Sequence, residues 1–314
     1  MPDEDGRRKV ASFEDFRAGA QALLPSCELF INAETSCDLV ATIVTGMHCE
    51  ALRKVEPSFR AVAEISSTAP EIKDALTALV KATVTRKHWK KGRIKRLTVL
   101  DYRTGAGELP KHIQDFSRLK IKTKKHPTLR VPVPYIDTVA LVIGADSAQL
   151  REAAPHLENA AVLLLNCGNN DWGGRRLRTS ELAEYDPEVV KRLEDERYYV
   201  AALLRAWWSA EKDEVTWARQ IVAEAKASFG KPDSRYIAVQ FDPKLLNKAI
   251  QHRVLCSFLD WLEVENFLTG EELERYRAIV KGVYDPEPVE EMPPQHAEDP
   301  QVFLKIMRAL VTSE

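Results

Sequence analysis

Two basic runs, at residues 86–96 and 118–126, contain the residue types with the clearest chemistry in this sequence. The segment 81–130 holds sixteen Lys or Arg and three acids, so it carries a net charge of +13. Because the whole chain is at −2, the remainder carries −15. A lysine or arginine that neutralises a phosphate releases a counterion, which makes such a segment bind nucleic acid in a salt-dependent way. The charge asymmetry therefore predicts a surface that meets a polyanion.

The cations of the two runs are the predicted contacts to nucleic-acid phosphates, and Trp89 is a candidate for stacking on the bases of a single strand. Phosphate contacts position a protein on nucleic acid but carry no sequence information. No pattern in the chain reads bases, so the predicted binding is not sequence-specific, and the choice between DNA and RNA stays open. The predicted phosphate contacts are Arg86, Lys87, Lys90, Lys91, Arg93, Lys95, Arg96, Arg118, Lys120, Lys122, Lys124 and Lys125.

A metal-dependent nuclease is one alternative to plain binding. Such an enzyme needs carboxylates that hold a metal ion within a phosphate-attracting surface. Asp101, Glu108 and Lys111 lie within the basic segment and are the candidates for this arrangement. Residues 105–107 between them are a predicted turn, so the spacing leaves open whether the three side chains form a site.

A non-enzymatic assembly protein is the other alternative. Its basic segment would meet an acidic protein partner or the acidic remainder of a second copy, since the two carry opposite charge. Residues 301–314 would supply a docking helix, because Phe303, Ile306, Met307 and Leu310 form one apolar stripe. Self-association, or a protein partner bound through this stripe, is therefore also a hypothesis.

The sequence contains no pattern that predicts a catalytic residue, a cofactor or a metal ion. Cys37, His48 and Cys49 are near one another, but no spacing supplies the four ligands of a zinc site. The segment 144–148 lacks the Gly-x-Ser-x-Gly pattern of a nucleophile elbow, so Ser147 is interpreted as a helix N-cap. Neither Gly-x-x-x-x-Gly-Lys-Ser/Thr nor Gly-x-Gly-x-x-Gly occurs.

The elements that would position these residues indicate an α/β fold with a mainly parallel sheet and flanking helices, followed by a helical subdomain. Residues 138–143 and 160–165 are apolar on both faces, which is typical of central strands covered on both sides. A helix at 147–154 separates them, and strands separated by helices favour a parallel sheet. Residues 27–32 and 97–100 are predicted to be further short strands.

Capping signals and apolar periodicity predict the helices. Thr68 and Glu71 form a capping box for a helix over 69–84, and Thr269 and Glu272 form a second capping box. The chain from about 186 is predicted to be mostly helical, with a strand or β-ribbon at 236–241. The predicted organisation is an N-terminal segment 1–24, an α/β domain 25–175 with the basic insertion 81–130, a helical domain 176–284, an acidic Pro-rich linker 285–300 and a terminal amphipathic helix 301–314.

Composition excludes several classes of protein. The chain has 314 residues, of which 45% are hydrophobic and 29% charged, and this describes a globular protein with a sizeable core. No window approaches the roughly 18 apolar residues of a membrane helix, and the charged N-terminus is unlike a secretory signal. Five scattered cysteines without a short repeated spacing predict a reducing compartment, the cytoplasm.

Several segments follow one another in a recognisable order. They are Leu-Phe-Ile with a phosphate-loop-like turn at 29–39, Val-Ala-Leu-Val-Ile-Gly at 139–144, the segment 154–166, and a start like that of a winged-helix module at 299–308. In this order, which covers residues 25–314, the chain resembles the ATPase region of primase–helicase replication proteins carried by phages and integrative elements. The resemblance is one of pattern, without a diagnostic motif.

The resemblance implies a degenerate P-loop ATPase domain in a replication or mobile-element system. The turn at 29–39 has no Gly and no Lys, and its Glu34 and Asp38 would repel phosphate. Val99-Leu100-Asp101 would stand in for the acidic strand end that holds magnesium in such ATPases. The resemblance therefore implies a protein that no longer hydrolyses ATP and that keeps a DNA-binding or assembly role.

Overall fold

The computed structural model describes nine stretches of the chain: residues 11–30, 32–67, 70–83, 99–103, 136–168, 175–178, 185–210, 213–228 and 243–284. Several predictions fall on residues outside these stretches. They concern the basic runs at 86–96 and 118–126, the strand or ribbon at 236–241, the linker at 285–300 and the terminal helix at 301–314.

A sheet of five parallel strands confirms the predicted fold class. The strands are β1 (Val62–Ser66), β2 (Val99–Asp101), β3 (Ile136–Ile143), β4 (Asn159–Leu165) and β5 (Arg175–Arg178). Their order in space is β2-β3-β4-β1-β5, and every neighbouring pair is parallel. The predicted apolar strands are β3 and β4, which pair in the middle of the sheet with Leu141 opposite Leu163.

Helices connect the strands and make up the second half of the described chain. Those before and between the strands are α1 (Phe13–Leu23), a 3₁₀ helix (Leu24–Glu28), α2 (Ala33–Thr45), α3 (Cys49–Val55), α4 (Pro70–Ala82) and α5 (Ser147–Leu157). Those after β5 are α6 (Pro187–Asp195), α7 (Arg197–Ala210), α8 (Glu214–Ser228), α9 (Pro243–Val264) and α10 (Gly270–Tyr284). The helices predicted at 69–84, 214–228 and from 242 are thereby confirmed.

Short polar side chains begin several of these helices by binding the free amide groups of the first turn. Ser12 and Asp15 form a capping box at α1, and Asn32 accepts from the amides of Glu34 and Thr35 at α2. The predicted box at α10 is confirmed, because Thr269 and Glu272 bind each other's backbone amides.

The two faces of the sheet are covered by different helices, because successive residues of a strand point to opposite faces. One face of β3 and β4 contributes Leu141, Ile143, Leu163 and Leu165 to a core shared with α2, α3 and α4. The other face packs against α5, in a smaller core that includes Ala140, Val142, Leu150, Ala153, Leu157, Val162 and Leu164. This double cover explains why residues 139–143 and 160–165 are apolar on both faces.

The second-half helices pack on the same large core as the sheet. α9 contacts α2 and α8, and α10 contacts α9 and α2. α1 and α7 approach closely at Gly19, where an added Cβ would lie 2.5 Å from the carbonyl oxygen of Tyr199. The buried residues on the face of the sheet that packs against α2, α3 and α4 form one continuous apolar cluster with those of α7 to α10.

Three local predictions are wrong. The described residues of 27–32, which are all but residue 31, do not form a buried strand of the sheet: Leu24–Glu28 is a 3₁₀ helix, and Phe30 makes an antiparallel bridge with Tyr185. Ser147 is not the N-cap of α5, because Asp146 accepts hydrogen bonds from the amides of Ala148 and Gln149. The third concerns the phosphate-loop-like turn at 29–39, which does not follow a strand of the sheet because a 3₁₀ helix precedes it.

β1 and β5 were absent from the predicted elements. β1 is short and contains Glu64, which masks its apolar character, yet its Ala63 and Ile65 are buried. β5 reads Arg-Arg-Leu-Arg and pairs with β1. Among the described helices, none combines the length and the apolar character needed to cross a membrane.

Candidate functional site

The predicted phosphate contacts and Trp89 all lie outside the described residues, so only their attachment to the fold is visible. The first basic run lies in the stretch 84–98, which enters β2 at Val99. The second lies in the stretch 104–135, which begins directly after Arg103 and thus follows β2 in the chain. β2 has three residues and lies at one edge of the sheet. Both runs are thus joined to the fold at the same short edge strand.

The carboxyl ends of the strands form the edge at which open parallel sheets bind ligands. The chain leaves β1 towards β2 on one side and leaves β4 towards β5 on the other side. Because β1 and β4 are neighbours, the chain direction switches between their carboxyl ends, and this is where a ligand crevice forms in such sheets. Of these two strands, β1 is the one that is followed in the chain by a helix, α4.

Asn166 bridges the switch point. It follows β4 with a positive φ of 52°, a conformation that Asn tolerates better than most residues. Its side-chain oxygen accepts from the amide of Ser67 at 2.9 Å, and its side-chain nitrogen donates to the carbonyl of Ser67 at 2.6 Å. One side-chain amide therefore ties the carboxyl end of β4 to that of β1.

The residues after β1 are unlike a phosphate-binding loop. Residues 66–70 read Ser-Ser-Thr-Ala-Pro, with neither glycine nor lysine. A phosphate loop needs glycines so that backbone amides face the anion, and a lysine to meet the terminal phosphates. The first lysine of α4 is Lys73, and its ammonium pairs with Asp101 at 2.8 Å.

A charged cluster occupies the carboxyl end of β2. Asp101 accepts from Lys73, from the backbone amide of Arg103 at 3.1 Å and from the Arg103 Nε at 3.2 Å. The Arg103 Nη2 adds a longer contact of 3.5 Å to the second carboxylate oxygen. Burial alone would raise the pKa of Asp101, but the hydrogen bonds from Lys73 and Arg103 outweigh it and lower the pKa. Asp101 is therefore an ionised hub for two cations.

Gly144 makes room for the Arg103 side chain. It follows β3 with a φ of +64°, and an added Cβ would lie 2.5 Å from the Arg103 Cγ and 3.0 Å from its Cδ. The hydrocarbon stem of Arg103 thus lies against the bare backbone of the neighbouring strand end. Asp101 at one end and Gly144 beneath the stem together define the position of the guanidinium.

This geometry bears on the nuclease alternative. Asp101, one of its two candidate carboxylates, spends both oxygens on Lys73 and Arg103, which leaves little capacity to hold a metal ion. Glu108 and Lys111 lie outside the described residues. Within the described stretches, no group of three or more His, Cys, Asp and Glu side chains is arranged to hold a metal.

The residues weighed as zinc ligands are buried among other partners. His48 lies between two indoles, with its ring centre 5.2 Å from that of Trp207 and 4.5 Å from that of Trp217. Cys37 is fully buried next to Cys27. The pKa of the Cys27 thiol is raised, mainly by its hydrogen bond with Cys37 and secondly by burial. All five cysteines are free thiols.

A second charged cluster, which the sequence did not predict, is buried among the helices. Lys248 of α9 lies 2.8 Å from the Glu34 carboxylate and 3.3 Å from that of Asp38, both in α2. The hydroxyl of Tyr284, at the end of α10, donates to Asp38. Helical periodicity reveals none of these contacts, because the partners are more than 200 residues apart.

An open cleft of about 710 Å³ lies between α1, α6 and α10. Its lining is polar, and three of its carboxylates have partners within the protein. Glu28 pairs with Arg275, Asp186 caps α6, and Glu272 caps α10. These three carboxylates therefore stabilise the helices around the cleft.

Comparisons with known protein families, with curated proteins and with solved structures found no match to this chain. The fold and the clusters described above are therefore the basis for assigning a function.

Proposed function

We propose that this protein binds nucleic acid through the phosphate backbone, without sequence specificity and without hydrolysing ATP, in a replication or mobile-element system. The observation that carries the proposal is the net charge of +13 over residues 81–130. Charge of this density attracts a polyanion by releasing its condensed counterions.

The attachment of the basic runs supports this proposal. The first run precedes β2 in the chain and the second follows it, so the stretches that contain them are both joined to this edge strand at one end. The chain on both sides of β2 therefore carries cations. The residues outside 81–130, which include all helices of the second half, together carry −15. A field concentrated at one side steers a charged ligand more strongly than the same charge spread evenly.

The absence of ATP hydrolysis is proposed from the residues after β1 and β2. Residues 66–70 contain no glycine or lysine, and Asp101 is engaged by two cations. Neither feature suits a site for a nucleoside triphosphate with magnesium, because such a site needs a phosphate loop and a free carboxylate. The kinship with primase–helicase proteins stays part of the proposal and rests on the order of segments alone.

Fluorescence anisotropy with labelled single- and double-stranded DNA tests the proposal. We expect affinity to fall tenfold or more between about 50 mM and about 200 mM salt, since several phosphate contacts are lost together. Addition of ATP to a buffer that already contains magnesium should leave the affinity unchanged. Absence of binding at the lower salt concentration would overturn the proposal and favour a protein-docking role for the basic segment.

A matched pair of variants locates the contact. Reversing Lys90 and Lys91 to Glu removes two predicted contacts, whereas Lys191→Glu with Lys281→Glu makes the same charge change at exposed positions of α6 and α10. We expect the first variant to bind at least tenfold more weakly and to have a salt slope reduced by about 2. Equal losses in the two variants would show that only net charge matters.

A further inference from the structure

The strongest described feature outside the basic runs is the cluster of Lys73, Asp101 and Arg103 at the carboxyl end of β2. Arg103 is the last described residue before the stretch 104–135, which contains the second basic run. Lys73 comes from the first turn of α4, so two separate elements bring their cations to one carboxylate. Two members of the cluster, Asp101 and Arg103, therefore lie between the two basic runs in the chain.

We propose that Arg103 and Lys73 form a binding site for a phosphate group of the nucleic-acid backbone. This inference rests on the proposed function and extends the phosphate contacts from the basic runs into the sheet. The two cations share Asp101, which leaves one positive charge in the triad uncompensated.

The guanidinium of Arg103 is presented in a fixed orientation. A guanidinium has five N–H donors in one plane, and Asp101 faces only its Nε and Nη2 side. The Arg103 side chain remains 46% exposed, and the Lys73 side chain 36%. The remaining donors of the fork are thus directed away from Asp101, with solvent access for an anion.

Gly144 provides an independent observation in favour of a site. Its lack of a Cβ lets the Arg103 stem lie flat against the end of β3, in contact that an alanine would make impossible without displacing Arg103. Holding a guanidinium in place before the ligand arrives reduces the ordering cost of binding a phosphate.

The test compares Arg103→Gln with Arg275→Gln in the full chain. Arg275 is likewise exposed and paired with one carboxylate, that of Glu28, but it lies on α10. We expect Arg103→Gln to weaken DNA binding five- to tenfold and to lower the salt slope by about 1, and Arg275→Gln to change neither. Arg103→Lys should recover less than half of the loss in log affinity, because lysine keeps the charge but not the planar fork.

Gly144→Ala separates the seat of Arg103 from its charge. It leaves every cation in place but strains the backbone, which has a φ of +64° at this residue, so a lower melting temperature is expected. Weaker DNA binding by the fully folded variant would support the role of Gly144 in positioning Arg103, and unchanged binding would contradict it. For any variant that melts early, the comparison is made at a temperature where circular dichroism shows full folding.

The outcomes distinguish this inference from the proposed function. If wild-type protein binds no DNA, both are overturned. If it binds with the expected salt dependence while Arg103→Gln and Lys73→Gln bind equally well, only the site at β2 is overturned, and the triad is then a structural ion pair. Competition by pyrophosphate that depends on Arg103, without any effect of Arg103→Gln on DNA, would overturn the assignment to nucleic acid.

Discussion

The molecule contains two lysine–aspartate pairs of the same chemistry in opposite surroundings. At the rim of the sheet, Lys73 meets Asp101 with side chains 36% and 13% exposed. Among the helices, Lys248 meets Asp38 with side chains 6% and 7% exposed. The rim pair keeps a cation accessible to a ligand, whereas the interior pair has exchanged water for neighbouring protein groups.

The difference shows how burial changes the role of one interaction. Removing two charges from water costs several kcal/mol, which is recovered only with good geometry and further hydrogen bonds. The interior pair has these: Glu34 is a second carboxylate for Lys248, and Tyr284 donates to Asp38. It joins α2, α9 and α10, so its contribution is to the arrangement of helices. The rim pair is screened by solvent, and its contribution is to position Arg103 and Lys73.

The largest effect is expected from Lys248→Met. Asp38 would then be buried without its ammonium partner, and breaking a buried pair in this way costs about 3–5 kcal/mol of unfolding free energy. Urea denaturation followed by circular dichroism measures the loss. Lys54→Met is the matched control, because Lys54 pairs with Glu50 at the exposed surface and its loss should cost at most about 1 kcal/mol. Similar losses in both variants would remove the distinction between a buried and an exposed ion pair.

The interior region should also respond to pH through His252, which stacks on Tyr284 with ring centres 4.2 Å apart. Burial, helped by Arg253, lowers the pKa of His252 to about 3. Below its ordinary pKa of about 6.5, the unfolded chain binds a proton that the folded protein does not, so unfolding free energy falls by about 1.4 kcal/mol per pH unit. This contribution is complete above that pKa and decreases as the pH falls towards the folded value.

His252→Gln tests this pH dependence by urea denaturation at about pH 7 and about pH 5. The wild-type protein should lose about 2 kcal/mol more than the variant between the two conditions. Taking this difference cancels the carboxylates that titrate equally in both proteins. A parallel decrease in the two proteins would mean that His252 is not held neutral.

The smallest effect on stability is expected from Lys73→Met at the rim. Exposed ion pairs contribute about 0–1 kcal/mol, so the unfolding midpoint in urea should hardly move. The same variant should weaken DNA binding several-fold, because it removes one of the two cations of the proposed phosphate site and leaves Asp101 with one partner fewer. A large loss of stability would make the rim cluster a structural element like the interior one.

Local patterns were sufficient for much of the fold. β3 and β4 were predicted because their residues are apolar on both faces, and α4, α8 and α9 because apolar periodicity and capping residues agree along each segment. Residues 27–32 were predicted wrongly, because a short apolar run alone does not distinguish a strand from a buried 3₁₀ turn. β1 was missed because a five-residue strand with a central Glu64 has too weak a pattern of its own.

The candidate site was only partly accessible from sequence. The net charge of 81–130 requires no structure, and it marks the basic runs directly. Arg103 was counted within that charge but not distinguished, since its seat depends on Gly144, some forty residues further along the chain. Asn166 likewise acquires its role only from the carboxyl end of β1, about a hundred residues earlier.

By itself, the sequence determined the parallel α/β class, most helices and the place of the basic segment, because periodicity, capping and net charge act between residues close together in the chain. Only the tertiary structure decided the strand order, the switch point between β1 and β4, and the two lysine–aspartate clusters. Those features depend on contacts between residues tens to hundreds of positions apart, and the free energy of such contacts is set by burial and geometry that no local pattern contains.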